Sequence, residues 1–440
     1  SLWTKFRPSR NWTSEAAGAG AIMAVYRAAI DSLFEAQRDF TFLDARALEE
    51  AKVESGALVH GDLQWRVVVL PRVDTLPLAA WENLTCFVRS GGVVVALGAL
   101  PVNSAREFPC PRVQALAREM FGEPATGSQF SRDPRFLANK SGGGGIHLPA
   151  GSGSLLPLVL ETVIAPDVKV SDPKAPVRVT HRRVHGSEVY FVINDSAEPW
   201  RGELAIAAEG DGKQWDPATG RISGPVDPAS VVLELEPYGA TFLRFPSARR
   251  PARHPLRGST LPNLVVQAIP PVMPAVGKGE FVDGGVRPDP DHSSATRPVW
   301  RADATLTKGG VDTHLFTAFD YAEPLDLSAA ACLVVETLVP DQQRPPAQLL
   351  VILHEKGGGD FLAETGRSLA AAGWQRSFLP FNQFQLADWS TDDDGRLDLT
   401  RVGAIRVGWG GYFGSKGESV RFSVTHPGAA RIESRPRPSP

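Results

Sequence analysis

The 440-residue sequence predicts a multidomain protein in which one α/β region precedes two all-β regions. Three observations carry that prediction. Two fully apolar strands, Val67–Leu70 and Val93–Leu97, alternate with helical patterns early in the chain. From Val177 the apolar period changes from the helical value of about 3.6 to two. Glycine and proline are abundant, at 42 and 37 residues, as many turns between short strands require.

In the α/β region, apolar side chains at Ile22, Val25, Tyr26, Ala29, Ile30, Leu33 and Phe34 mark a helix with one buried stripe. A short strand, Phe40–Leu43, is expected next. Asp44 then stands as an N-cap ahead of the helix-forming run ARALEEA. The strand RVVVLP is apolar on both faces, as in the middle of a parallel sheet covered by helices. Pro77 opens a further helix with the stripe Trp81, Leu84 and Val88, and Gly91-Gly92 stops it before the strand VVVAL. Strand and helix alternating at these spacings define a doubly wound open sheet over residues 1–125. Such a sheet begins with a strand, whereas this sequence begins with a loop and a helix. The first strand is therefore expected upstream of Ser1.

Residues 126–175 read as a connector rich in Gly, Ser and Pro, including SGGGG at 141–145, with one apolar helix or strand at Ser154–Ile164. Residues 176–247 alternate with period two (VRVTHRRV, EVYFVINDS, GELAIAA, VVLELEPYGATFLRF) and predict a small β-sandwich. A basic, proline-rich linker occupies 248–258. Residues 259–428 predict a larger sandwich of jelly-roll type, in which Val420, Phe422 and Val424 face one way and Ser419, Arg421 and Ser423 the other. A tail, 429–440, ends the chain.

Several function classes drop out on composition. A formal charge of −3 with both signs dispersed gives no basic stripe for nucleic acid. No apolar run has the ~18 residues of a membrane span. Cys86, Cys110 and Cys332 are too far apart for a zinc site or a disulfide framework, and Cys86 and Cys110 read as a core thiol and a loop thiol. Gly18-Ala-Gly20 starts like a dinucleotide fingerprint, but Met23 replaces the third glycine and no strand precedes it. No phosphate loop, zincin or nucleophile-elbow motif occurs, and no pair of catalytic carboxylates can be assigned. The acidic run Asp388–Leu399 departs from a calcium loop at its first and twelfth positions, with Ser390 and Arg401 there. It reads as a polar turn that leaves room only for a looser structural calcium site. Asn11 and Asn194 head glycosylation sequons.

The aromatic residues are the remaining lead. Flat rings stack on pyranose faces, and loops on a rigid scaffold present them. Trp389, Trp409 and Tyr412 are the candidate carbohydrate-binding residues, the last two in a Trp-Gly-Gly-Tyr stretch that reads either as a binding turn or as a sandwich corner. Trp374 opens a strand and is expected in the core.

The stretch DFTFLDARALEEAKVESGALVHGDLQWRVVVLPRVDTLPLAAWENLTCFVRSGGVVVALGALP resembles the α/β domain that follows the catalytic barrel in α-L-rhamnosidase-like proteins of glycoside hydrolase family 106. HRRVHGSEVYFVINDSAEPWRGELAIAAEGDGKQWDPATGRI is similar to the β-sandwich that comes next in those proteins. GWQRSFLPFNQF and DGRLDLTRVGAIRVGW resemble jelly-roll carbohydrate-binding modules. The resemblance implies a flavodoxin-like first domain, a catalytic barrel amino-terminal to this chain, and an extracellular or periplasmic setting. It carries no catalytic residue onto these 440 positions. The expected function is thus a non-catalytic part of a glycoside hydrolase, with a glycan and the upstream catalytic domain as partners, and no cofactor. Two alternatives stand beside it. One is an autonomous enzyme with a site near Pro71 and Gly98; the other is a structural, adhesin-like protein without ligand.

Overall fold

The computed structural model describes residues 17–123, 133–172, 175–248 and 263–433. The predicted linker, most of the terminal tail and Asn11 lie outside them. Contacts divide the chain into two compact units, one of Ser1–Glu123, Phe136–His147 and Leu156–Ser259, the other of Pro124–Arg135, Leu148–Leu155 and Thr260–Pro440.

The first unit opens with helix α1 (Ala17–Glu35) and the short helix α2 (Ala45–Glu50), whose N-cap Asp44 accepts a hydrogen bond from the Ala47 amide at 2.7 Å. A small antiparallel meander follows: β1 (Lys52–Glu54), β2 (Ala57–His60) and β3 (Leu63–Trp65). β4 (Val67–Pro71), helix α3 (Leu78–Arg89) and β5 (Val93–Gly98) then form a parallel crossover, Val67 opposite Val93 through Pro71 opposite Leu97. Trp81, Leu84, Phe87 and Val88 bury the inner stripe of α3. Asn83 lies on the same helix and donates to the Leu48 and Ala51 carbonyls at 2.7 Å each, satisfying groups that the end of α2 leaves without helical partners. Helix α4 (Pro111–Phe121), β6 (Arg135–Ala138) and β7 (Gly144–Pro149) complete a four-stranded sheet of order β4-β5-β7-β6.

Two expectations change here. Phe40–Leu43 is not a strand: it runs without a pairing partner among the described residues. The glycine run at 141–145 is not a loose connector, because Gly144 and Gly145 begin β7. A Cβ on Gly143 would meet Gly91 C at 2.4 Å, and one on Gly144 would meet the Leu137 carbonyl oxygen at 2.0 Å. Glycine is needed there so that backbones can approach closely, not for flexibility.

After helix α5 (Leu156–Val163) comes the small sandwich. Its strands are β8 (Val168–Val170), β9 (Val177–Val184), β10 (Ser187–Asn194), β11 (Trp200–Ile206), β12 (Ala208–Glu209), β13 (Gly212–Trp215), β14 (Ile222–Val226), β15 (Val231–Leu235), β16 (Ala240–Phe245) and β17 (Ser247–Ala248). They form a five-stranded sheet β14-β13-β16-β10-β9, a three-stranded sheet β15-β11-β8 and the pair β12-β17. Val177, Tyr190, Leu204, Leu233 and Phe245 fill the core. The sequon residue Asn194 is sealed inside, its amide donating to the Glu198 and Glu236 carbonyls at 2.7 and 3.1 Å.

The second unit is a two-sheet sandwich. Its strands are β18 (Asn263–Ala268), β19 (Ala275–Lys278), β20 (Val282–Pro288), β21 (Val299–Leu306), β22 (Thr313–Leu325), β23 (Cys332–Val339), β24 (Gln348–Glu355), β25 (Asp360–Ser368), β26 (Gly373–Pro380), β27 (Gln385–Leu386), β28 (Val402–Tyr412), β29 (Ser419–Thr425) and β30 (Gly428–Glu433). One sheet runs β18-β30-β23-β29-β21-β20 with β26 also paired to β23; the other runs β19-β22-β28-β24-β25-β27. Between them lie Trp300, Phe319, Leu353, Phe361, Trp409 and Phe422, on alternate positions of their strands as period-two patterning requires. Trp374 departs from the expected core position. It is half-buried on β26, with the Arg297 guanidinium over its ring at 4.3 Å.

Among the charges buried in this sandwich, Asp289 is the most enclosed. Asp289, fully buried, accepts from Arg301 Nη2 at 2.9 Å and Ser423 Oγ at 2.7 Å, and its Oδ2 lies 2.9 Å from His292 Nδ1. Burial alone would push its carboxyl up, but these partners outweigh that and hold it down at about 2. A depressed carboxylate stabilises the fold above its unfolded value near 3.8, and that stabilisation fades as pH falls toward 2. About 2 kcal/mol is at stake. Denaturant titrations between about pH 4.5 and about pH 2 are expected to show a slope for the second unit that Asp289→Asn reduces, the remainder coming from Asp326, Asp392 and Asp398, which are also held low.

A second expectation concerns packing. A Cβ on Gly408 would sit 1.9 Å from the Leu315 carbonyl oxygen, whereas one on Gly410 would find nothing nearer than 3.6 Å. Gly408→Ala should therefore cost about 1–3 kcal/mol and lower the melting temperature. Gly410→Ala should stay within about 0.5 kcal/mol of the parent.

Candidate functional site

The sheet β19-β22-β28-β24-β25-β27 turns one row of side chains into the core and the next row outward. On β28, Ile405, Val407 and Trp409 point in, so Ala404, Arg406 and Gly408 point out; on β24, Val351 and Leu353 point in, so Ile352 and His354 point out. The register sets Ile352 opposite Arg406 and His354 opposite both Ala404 and Asp360.

That register gathers a polar cluster on the outer face. Asp360 is its centre: Oδ1 lies 2.8 Å from His354 Nδ1, and Arg406 Nη1 donates to Oδ1 at 3.0 Å and to Oδ2 at 3.2 Å. Trp389 Nε1 donates to Oδ2 at 3.3 Å. The loop bearing Trp389 is tied to the same residue by its backbone. Ser390 Oγ accepts from the Asp360 amide at 2.9 Å, and the Ala387 amide donates to the Asp360 carbonyl at 2.9 Å. The indole is thus held at one edge by a single hydrogen bond and its loop by two more, while 62 % of Trp389 stays exposed. A fixed ring with a wet face, beside a carboxylate, a guanidinium and an imidazole, can stack on a flat apolar surface and exchange hydrogen bonds with hydroxyls at its rim.

Of the three aromatic residues named from sequence, only Trp389 is presented in this way. Trp409 is fully buried, edge-on to Phe422 with ring centroids 6.3 Å apart, and offers no face to a ligand. The Trp-Gly-Gly-Tyr stretch lies inside β28 rather than in a turn, and the chain reverses after it. Tyr412 is half-buried against the core. Its hydroxyl donates to Glu418 Oε2 at 3.0 Å, and burial together with that carboxylate pushes the phenol up to about 12. Sequence reasoning missed His354, Asp360 and Arg406. The signal was there: His354 and Asp360 bracket the turn EKGGG, each next to an apolar run, LLVIL before and FLA after.

The other chemical leads resolve into structure. In the acidic run, Asp392 Oδ2 accepts from the Asp394 and Gly395 amides at 3.2 and 2.9 Å, and Asp398 Oδ1 accepts from the Thr400 amide at 2.9 Å. These carboxylates cap turns. Among the described residues no three His, Cys, Asp or Glu side chains gather where they could hold a metal ion. Gly18 and Gly20 fall within α1, away from any strand-to-helix turn. Cys110 is buried at the start of α4, whereas Cys86 is exposed, because the buried stripe of α3 runs through its neighbours Thr85 and Phe87. Among the described residues no helix is long and apolar enough to cross a membrane.

Comparison with known proteins places part of the chain. Residues 19–226 match the model of glycoside hydrolase family 106, described as α-L-rhamnosidase. The chain therefore carries an α-L-rhamnosidase-like region and is a glycan-related, glycoside-hydrolase-like protein. Among solved structures it is similar to a rhamnosidase from Novosphingobium sp. PP1Y, at 14% identity and a TM-score of 0.37, covering 88% of this chain and 36% of that one. It is also similar to the family 11 carbohydrate-binding module from Clostridium thermocellum in complex with a β-1,3-1,4-mixed-linked tetrasaccharide. There the identity is 14% and the TM-score 0.30, over 38% of this chain and 93% of the module. A β-galactosidase from Bacillus circulans sp. alkalophilus shows 15% identity and a TM-score of 0.38, over 53% of this chain and 39% of that one. The chain thus spans little more than a third of the rhamnosidase's length. None of the curated proteins compared matches it.

Proposed function

We propose that this chain is a non-catalytic part of a multidomain, exported glycoside hydrolase of the α-L-rhamnosidase kind. Its flavodoxin-like α/β portion and small sandwich brace a catalytic domain carried elsewhere in the polypeptide. Its larger sandwich, of jelly-roll type, holds a glycan. The match of residues 19–226 supports the first half of this reading. The single observation behind the second half is Trp389, exposed yet fixed by Asp360, which Arg406 and His354 flank. A pyranose stacked on that indole brings its hydroxyls to the three polar side chains, the division of labour expected of sugar recognition.

Affinity gel electrophoresis of the intact chain with β-1,3-1,4-glucan and with a rhamnose-rich polysaccharide tests the binding. Retardation by one of them, with Trp389→Ala weakening it about tenfold or more, is expected; tenfold corresponds to about 1.4 kcal/mol. Retention of full affinity in that variant, or no retardation by either polymer, counts against the face. Incubation with p-nitrophenyl α-L-rhamnopyranoside tests the other half: the chain is expected to release no nitrophenol, and measurable turnover overturns the non-catalytic assignment.

A further inference from the structure

The geometry points to a strand-accepting groove at the open edge of β4, and we propose that it seats one β-strand, apolar on both faces, supplied by polypeptide outside these 440 residues.

The sheet order β4-β5-β7-β6 leaves β4 at an edge. Its hydrogen bonds show which groups face outward. The Val93 amide donates to the Arg66 carbonyl at 3.2 Å and the Arg72 amide to the Leu97 carbonyl at 2.8 Å. In a strand the N–H and C=O of one residue point the same way and alternate along the chain, so Arg66, Val68, Leu70 and Arg72 face β5. Val67 and Val69 present both backbone groups to the opposite side, where no described strand pairs with them.

That side is a cleft and not open water. A cavity of 450 Å³ runs beside the whole of β4, with the extended segment Phe40–Leu43 also lining it. Its other lining residues include Ile30 and Leu33 of α1, and Leu48 and Leu76. Phe40 and Phe42 are held by an aromatic row: Tyr26 stacks on Phe42 at 5.9 Å, and Phe40 meets Phe34 and Phe42 edge-on at 5.2 and 5.4 Å. Even so, Phe42 is 63 % exposed and Phe34 is 46 % exposed.

The occupant follows from these features. A small apolar ligand would cover the side chains but leave the Val67 and Val69 amides and carbonyls unpaired in an apolar cleft. A backbone in extended conformation satisfies them at strand spacing, and apolar side chains alternating to its two sides meet walls that are mostly apolar, with Arg38, Asp39 and Asp167 also in the lining. A second copy of the chain would have to bring its own α1 and Phe40–Leu43 segment against the same cleft. The lining on both sides of the cleft favours a single strand. The inference is independent of the glycan reading, since it concerns the first unit and its test reads no sugar affinity.

The test is amide hydrogen exchange on the intact chain, with and without a synthetic peptide, acetyl-Lys-Val-Val-Ile-Val-Leu-Lys-amide. A version N-methylated at alternate residues serves as the control. The Val67 and Val69 amides should exchange rapidly in the free chain and at least about tenfold more slowly with the peptide, while the Val68 and Leu70 amides are protected throughout. The methylated peptide should have no effect. Failure of the unmethylated peptide to slow Val67 and Val69 overturns the proposal. So does protection already present without peptide: if independent of protein concentration, the chain covers its own edge; if rising with concentration, a second copy does.

Discussion

The register of β28 is the constraint on which the second unit depends. Side chains alternate strictly across a sheet, so one choice of register decides both faces at once. With Ile405, Val407 and Trp409 turned inward, the sandwich gains its largest fully buried ring, and Arg406 is delivered to the outer face beside Asp360. A slip by one residue would put a guanidinium between the sheets and an indole in water. Gly408 belongs to the same constraint, because the Leu315 backbone passes where its Cβ would be.

Two buried carboxylates, Asp289 and Glu188, sit in closed networks. Asp289 is surrounded by Arg301, Ser423 and His292, so its burial leaves little unmatched charge. In the small sandwich His181 lies between Asp167 and Glu188, 3.4 and 2.7 Å away, and stacks on Tyr190 at 4.2 Å. Burial alone would lower that imidazole, but the two carboxylates prevail and raise it. The Asp289 cluster belongs to the architecture of the larger sandwich, whereas Asp167 of the His181 cluster also lines the cavity beside β4.

The two units differ in how they close. In the larger sandwich, ladders join most of the strands around one core. The α/β sheet of the first unit instead ends on an apolar strand with outward amides at Val67 and Val69, a state that soluble proteins ordinarily blunt with charge or cover. Phe40–Leu43 has strand-like composition but gains no ladder, because the place beside it is a cavity.

Much of this was legible in the sequence for a local reason. The helical stripe of Trp81, Leu84 and Val88, the Asp44 cap, the apolar strands Val67–Leu70 and Val93–Leu97, and the alternation of Val420, Phe422 and Val424 are periodicities within single elements, and each recurs in the structure. The resemblance of the first half to α-L-rhamnosidase-like proteins rested on such stretches as well. What the sequence could not fix was which of several similar residues meets which surface. Trp389 and Trp409 are alike as tryptophans among polar and glycine residues. Only pairing between distant strands sends one indole into the core and ties the other to Asp360 on the rim. The glycines at 143–145 look like slack for the same reason, since the backbones that demand them, at Gly91, Leu137 and Met120, lie elsewhere in the chain. Periodicity is a property of neighbours in sequence, and a site is a property of neighbours in space.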